Sequence, residues 1–154
     1  MARICLLILL TTAIGGGAET KWVKCRSDNF EVLSGSGERR CKAVLLHFEK
    51  VRSFFEQALK VQAVSTLPVK ILLFGSTKEY EPYRPNEVAA AYYQAGHDAD
   101  YIVIGPADAY EVIVHEYVHL VVKHSGLKLP SWLNEGFADL YSNMTPVAGK
   151  VRVG

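Results

Sequence analysis

The sequence has few cysteines, no block of one charge and no apolar run of transmembrane length. Only three of its 154 residues are cysteine, and the two that follow residue 18, Cys25 and Cys41, lack the spacing of a metal-binding motif. Lysine and arginine number 17 and the acidic residues 16, with no basic cluster suited to nucleic acid or an anionic membrane. These absences exclude a cysteine-ligated metal site and predict no nucleic-acid partner.

Residues 1–18 have the organisation of a secretory signal peptide. Arg3 supplies a short basic region, residues 4–14 are apolar or threonine, and the small residues 15–18 suit cleavage after Ala18. A membrane span needs roughly 20 apolar residues, so this segment is too short to be an anchor. We therefore expect a secreted or periplasmic protein with no stable membrane anchor after cleavage, in an oligomeric state that the sequence does not indicate.

The remainder, residues 19–154, is long enough for one domain with a substantial core. Export would permit a disulfide between Cys25 and Cys41, and two reduced thiols are equally consistent with the sequence. Hydrophobic periodicity and turn residues divide the domain into alternating strands and helices. The predicted elements are one short or bent strand within 21–34, a helix at 38–61, a central strand at 68–74, a short helix ending near 80, a β-hairpin of 89–94 with 101–104, and a helix at 107–125.

The last predicted helix contains the motif HEYVH in an otherwise uncharged stretch. His115 and His119 are four residues apart, so their side chains differ by only about 40° around the helix and leave it on the same face. Glu116 lies about 100° from His115, where it can serve as general base towards a metal-bound water. Ionisable groups in an apolar helix need a partner, and a zinc ion would provide one.

A third ligand is available in the following segment. Catalytic zinc typically takes three protein ligands and keeps one position open. Glu135 follows His119 by sixteen positions, and the intervening 126–130 is predicted to end the helix and turn the chain back. His124 lies about 140° from His119 around the helix and is not expected to join the site.

Together, HEYVH at 115–119 and WLNEGFAD at 132–139 resemble the gluzincin-clan zinc metallopeptidases, and most closely the peptidase-MA-like domain of secreted bacterial proteins. The likeness is specific over 112–142 and only a loose pattern of elements over 20–105. It implies an α+β fold with a thermolysin-like zincin N-terminal subdomain: a small mixed sheet with an edge hairpin, one long N-terminal helix, and an HExxH helix followed by a helix that bears glutamate. Since relatives of this type carry a further C-terminal region, we expect the domain at 19–154 to be truncated there.

The resemblance also implies residue roles. His115, His119 and Glu135 would bind Zn²⁺, and Glu116 would be the general base of a metallopeptidase that hydrolyses a peptide or protein substrate. Asp139, one helical turn beyond Glu135, matches the position of an acidic residue that orients the first histidine ligand. The alternative for Asp139 is an ordinary surface charge.

Several alternatives stay open. Tyr92, Tyr93 and Tyr141 are candidates for stabilising the oxyanion. The hairpin before the metal helix would either pair with an extended substrate by strand addition or be an ordinary sheet edge. The chain could also be an inactive zinc-binding or partner-binding domain derived from a peptidase, although the presence of Glu116 argues against this because a structural site needs no base. A metal-free core is disfavoured by the position of Glu135.

Overall fold

The computed structural model describes residues 5–7, 21–58, 60, 67–106, 110–147 and 150–154, which form a mixed α+β fold. The strands are β1 (Cys5–Leu7), β2 (Val23–Arg26), β3 (Phe30–Ser34), β4 (Val69–Leu73), β5 (Ala91–Ala95), β6 (Asp100–Ile104), β7 (Thr145–Val147) and β8 (Lys150–Arg152). The helices are α1 (Glu38–Ala58), α2 (Thr77–Tyr80), α3 (Tyr110–His124) and α4 (Ser131–Ser142), with a 3-10 turn at Glu81–Tyr83.

The main sheet is mixed and has β5 at one edge. Five of its strands follow the order β2-β3-β4-β6-β5, β1 pairs outside β2, and β7 and β8 form a separate two-stranded sheet. β3, β4 and β6 run parallel, and α1 provides the long connection that parallel neighbours such as β3 and β4 require. β5 is antiparallel to β6. The predicted central strand at 68–74 and the predicted hairpin at the sheet edge are therefore confirmed.

α1 covers one face of this sheet with the apolar stripe that its periodicity predicts. Apolar residues recur along it at three- and four-residue steps, and six of them are buried: Cys41, Val44, Leu45, Phe48, Val51 and Phe55. The predicted helix end at 61 is wrong. Lys60 has a φ of 51°, which lies in the left-handed region and cannot continue a right-handed helix.

The opposite face of the sheet is covered much less. Along β4, Val69, Ile71 and Leu73 are buried in the main core, whereas Lys70 and Leu72 are only half-buried. A smaller cluster of Phe74, Tyr80 and Val103, with Trp22, Leu72, Tyr92 and Tyr101 around it, lies on this second face. One face of β4 therefore lies in the main core, and the other contributes Leu72 to the smaller cluster, which includes Tyr80 of α2.

The described residues near the N-terminus do not test the prediction of a signal peptide. Residues 1–4 and 8–18 lie outside the described residues, and the backbone of Cys5–Leu7 pairs with β2. The signal peptide and its cleavage after Ala18 stay predictions. In the part of the chain that is described, no helix combines the length and apolar character needed to cross a membrane.

The two cysteines of the predicted mature chain are buried free thiols. Cys25 belongs to β2 and Cys41 to the α1 helix that packs on it. Burial raises the pKa of the Cys41 thiol, and its contact with Cys25 raises that pKa further. Among the described residues, neither sulfur belongs to the metal-ligand group discussed below.

Candidate metal centre

α3 is an apolar helix that exposes one narrow polar strip. Ile113, Val114, Tyr117, Val118, Leu120 and Val121 are buried against the sheet, α1 and α4. The side chains of His115 and His119 are 23% and 15% exposed, so both imidazoles are largely buried but still accessible to solvent. The motif spacing thus places two ring nitrogens side by side at the edge of the hydrophobic core.

α4 brings a carboxylate to the same point. α3 ends before Gly126, whose φ of 74° is the left-handed conformation that commonly terminates a helix. The chain then turns, and Pro130 precedes the first turn of α4, which packs along α3. Glu135 and Asp139 are four residues apart on α4 and therefore share the face that lies towards His115.

Three donor groups converge as the sequence predicts. The two Nε2 atoms of His115 and His119 are 3.1 Å apart. Glu135 places Oε2 at 3.3 Å from His115 Nε2 and Oε1 at 3.6 Å from His119 Nε2. Ligands held at 2.0–2.1 Å in a tetrahedron around zinc are about 3.3–3.4 Å from one another. The separation of the two Nε2 atoms and that of His115 Nε2 from Glu135 Oε2 are close to this value, whereas the 3.6 Å separation involves the other oxygen of the carboxylate. These residues therefore form a group that could hold a metal ion.

The second ring nitrogen of each histidine has a different environment. His115 Nδ1 lies 3.2 Å from Asp139 Oδ1, which fixes Nε2 as the nitrogen available to a metal. Asp139 thus occupies the position predicted for an orienting acid, although its side chain is 76% exposed and the pair is open to solvent. His119 Nδ1 is buried and has no hydrogen-bond partner among the described residues.

Glu116 lies beside the donor group and is held by the neighbouring strand. Its Oε2 accepts a hydrogen bond of 2.8 Å from the backbone N–H of Tyr93 in β5. Glu116 and Tyr93 line a cavity of about 570 Å³ together with His119, Asn134 and Glu135. The predicted base and two of the three predicted ligands therefore face one cavity, which β5, α3 and α4 enclose.

The three tyrosines considered for the oxyanion have different locations. Tyr92 packs in the cluster on the far face of the sheet, and Tyr141 packs against Phe54 and Phe55, so neither lines this cavity. Tyr93 lines the cavity, but its hydroxyl donates to Asp100 Oδ1 at 2.7 Å. Burial and this hydrogen bond raise the pKa of the Tyr93 hydroxyl, which stays protonated at neutral pH.

No family model, curated protein or solved structure matches this chain. The resemblance to gluzincin peptidases therefore stays a prediction from the residues of the two motifs.

Sequence reasoning missed Asp100 and its contact with His124, which lie next to this site. Asp100, at the start of β6, is 1% exposed, and its Oδ2 lies 2.6 Å from Nε2 of His124 at the end of α3. His124 stays out of the metal-ligand group, as its angular position predicts. The sequence contained one signal, an aspartate directly before the apolar run 101–104, but the predicted hairpin loop was extended over it.

Proposed function

We propose that this chain is an exported zinc metallopeptidase domain of the gluzincin type, with a thermolysin-like arrangement of sheet and helices, that hydrolyses peptide bonds. The observation that carries the proposal is the convergence of His115, His119 and Glu135, which each place one donor atom within 4.8 Å of the other two, with the histidine Nε2 atoms 3.1 Å apart. Two imidazoles and one carboxylate are one of the ligand sets of catalytic zinc, whereas magnesium and calcium prefer oxygen ligands. Glu116 beside this set favours a catalytic site over a structural one.

His115, His119 and Glu135 would hold the zinc ion, and Asp139 would keep His115 in the tautomer that presents Nε2. A zinc ion held by these residues would supply Lewis acidity to a substrate carbonyl and to the hydrolytic water. Glu116 accepts a proton from the attacking water and delivers it to the amine that leaves. The hydrogen bond from Tyr93 N–H orients the Glu116 carboxylate for both transfers.

The open edge of β5 supports a peptide as the substrate. Gly105 N–H donates to the carbonyl of Ala90, so alternate residues of β5 pair with β6 and the others direct their backbone groups outwards. By this alternation Ala91, Tyr93 and Ala95 face the free edge, and Tyr93 N–H is already used by Glu116. An extended peptide would therefore pair with the remaining backbone groups at the free edge of β5. This pairing would bring its scissile bond near the cavity.

A comparison of three purified proteins tests the proposal: the wild type, Glu116→Gln and Glu111→Gln. Glu111 is an exposed acid of α3 outside the metal-ligand group, which makes it the matched control. Hydrolysis of a quenched fluorescent peptide mixture should fall about 10²-fold or more in Glu116→Gln, while zinc content stays at the wild-type level. The control should keep wild-type activity.

Equal hydrolysis rates in the wild type and Glu116→Gln would contradict the peptidase proposal. Bound zinc in all three proteins would then favour the inactive zinc-binding domain.

A further inference from the structure

Asp100 is a fully buried carboxylate that connects two elements of the proposed active site. Its side chain is 1% exposed, and each of its oxygens has a partner on a different element. Oδ1 accepts the hydroxyl of Tyr93 in β5 at 2.7 Å, and Oδ2 lies 2.6 Å from Nε2 of His124 at the end of α3. A carboxylate in such a place is costly unless it is hydrogen-bonded or paired, so these contacts fix the geometry of their partners.

Tyr93 is the point at which this buried group meets the proposed base. Its side chain is bound to Asp100, and its backbone N–H donates to Glu116 Oε2 at 2.8 Å. Glu116 and His124 are separated by eight residues of α3, which correspond to about 12 Å along the helix. α3 therefore contacts β5 at two points. The first is the direct hydrogen bond between Glu116 and Tyr93, and the second runs from His124 through Asp100 to the Tyr93 hydroxyl.

This second attachment matters because β5 is an edge strand. Among the described strands only β6 pairs with it, so its outer backbone groups are positioned by one neighbouring strand and by contacts with α3. A displacement of the Tyr93 amide would carry the Glu116 carboxylate with it or break their hydrogen bond. A misplacement of about 1 Å in a catalytic group is enough to reduce a rate by up to about 10²-fold.

We propose that Asp100, His124 and Tyr93 form a positioning network that fixes the Tyr93 amide and, through it, the orientation of Glu116. The inference depends on the proposed function, in which Glu116 is the general base. Asp100 and His124 act through Tyr93 and touch neither the metal ligands nor the substrate. The network therefore sets the rate of proton transfer and leaves metal affinity unchanged.

Tyr93→Phe is the first test because it removes the hydroxyl and keeps both the ring and the backbone N–H. Tyr92→Phe is the matched control, since that neighbouring side chain lies on the far face of the sheet. In metal-free Tyr93→Phe, hydrogen exchange at the residue 93 amide should accelerate at least about tenfold. In the zinc-loaded protein, kcat should fall about tenfold, with KM and zinc content at wild-type values.

His124 provides the second test through a conservative rescue. His124→Ala should change residue 93 exchange and kcat in the same direction as Tyr93→Phe. His124→Gln should restore both, because the glutamine amide offers an N–H donor near the position of Nε2. A purely structural role would lower the midpoint of unfolding in the alanine variant without changing kcat at temperatures where it is folded.

Several results would overturn the inference. One such result is that Tyr93→Phe and His124→Ala show the same hydrogen exchange at the residue 93 amide as Tyr92→Phe. Another is that they lose kcat without any change in that exchange. Loss of zinc from Tyr93→Phe would assign the network to the metal site instead. A wild-type protein without peptidase activity would refute the proposed function, whereas the exchange measurement on the metal-free variants would still decide whether the network holds the Tyr93 amide.

Discussion

Asp139 is the residue whose role the sequence left between two alternatives. Its Oδ1 lies 3.2 Å from His115 Nδ1, the geometry of an acid that orients a metal ligand. We predict that Asp139→Asn weakens zinc affinity about 10- to 100-fold, because the amide removes the charge that favours the required tautomer. Competition with a chelator of known zinc affinity measures the change.

The control for Asp139→Asn is Glu111→Gln, which also removes one exposed negative charge. If both variants lose the same small amount of zinc affinity, Asp139 acts only through general charge and is an ordinary surface residue.

The residues of the metal group could be predicted from sequence because helical spacing alone determines most of their geometry. His115 and His119 share a helix face whatever the rest of the fold is, and the turn before α4 returns Glu135 towards them. The contact of Asp100 with His124 could not be predicted in this way. It depends on how the β5–β6 hairpin is placed against the end of α3, which is a tertiary relation between distant segments.

At the scale of elements, the ends of helices were less predictable than their faces. The apolar stripe of α1 determines its buried face, but its end depends on the left-handed Lys60, a residue type with no preference for that conformation. The chain at 21–34 shows a related limit. The sequence predicts one short or bent strand there, whereas the segment forms two antiparallel strands, β2 and β3. The chain reverses between them because Ser27 and Phe30 are hydrogen-bonded to each other across a tight turn.

Two glycines near the candidate metal centre should respond to alanine with opposite signs. Gly126 has a φ of 74° after α3, whereas Gly136 lies inside α4, and an added Cβ meets no atom within 4 Å at either position. Gly126→Ala should therefore destabilise the fold by about 1 kcal/mol through backbone strain alone. Gly136→Ala should stabilise it by about 0.5–1 kcal/mol, because alanine favours the helix interior.

Urea unfolding of the metal-free variants at equal pH measures both changes. A destabilising Gly136→Ala would show that the backbone of α4 differs from a regular helix at this glycine.

At the scale of the whole molecule, His47 makes stability depend on pH. It lies on α1, half-buried, with its ring 4.5 Å from that of Tyr110. Burial lowers the pKa of His47 below its ordinary value of 6.5, Lys50 lowers that pKa further, and Glu111 opposes the shift. The unfolded chain therefore binds a proton at a pH where the folded chain does not, so this residue reduces stability as pH falls through about 6.5.

We predict that metal-free wild type loses more unfolding free energy than His47→Gln when pH is lowered from about 8 to about 5. Urea titrations at several pH values measure the difference. The two proteins would have parallel stability profiles if His47 titrated equally in the folded and unfolded states.

The central claim is that three side chains from two helices bind one zinc ion. X-ray absorption at the zinc edge, combined with metal analysis of the purified protein, tests it most directly. We predict one zinc per chain with two imidazole nitrogens and carboxylate oxygen at about 2.0–2.2 Å, and loss of the metal in His119→Ala. A protein that binds no zinc, or binds it without two imidazoles, would contradict the account.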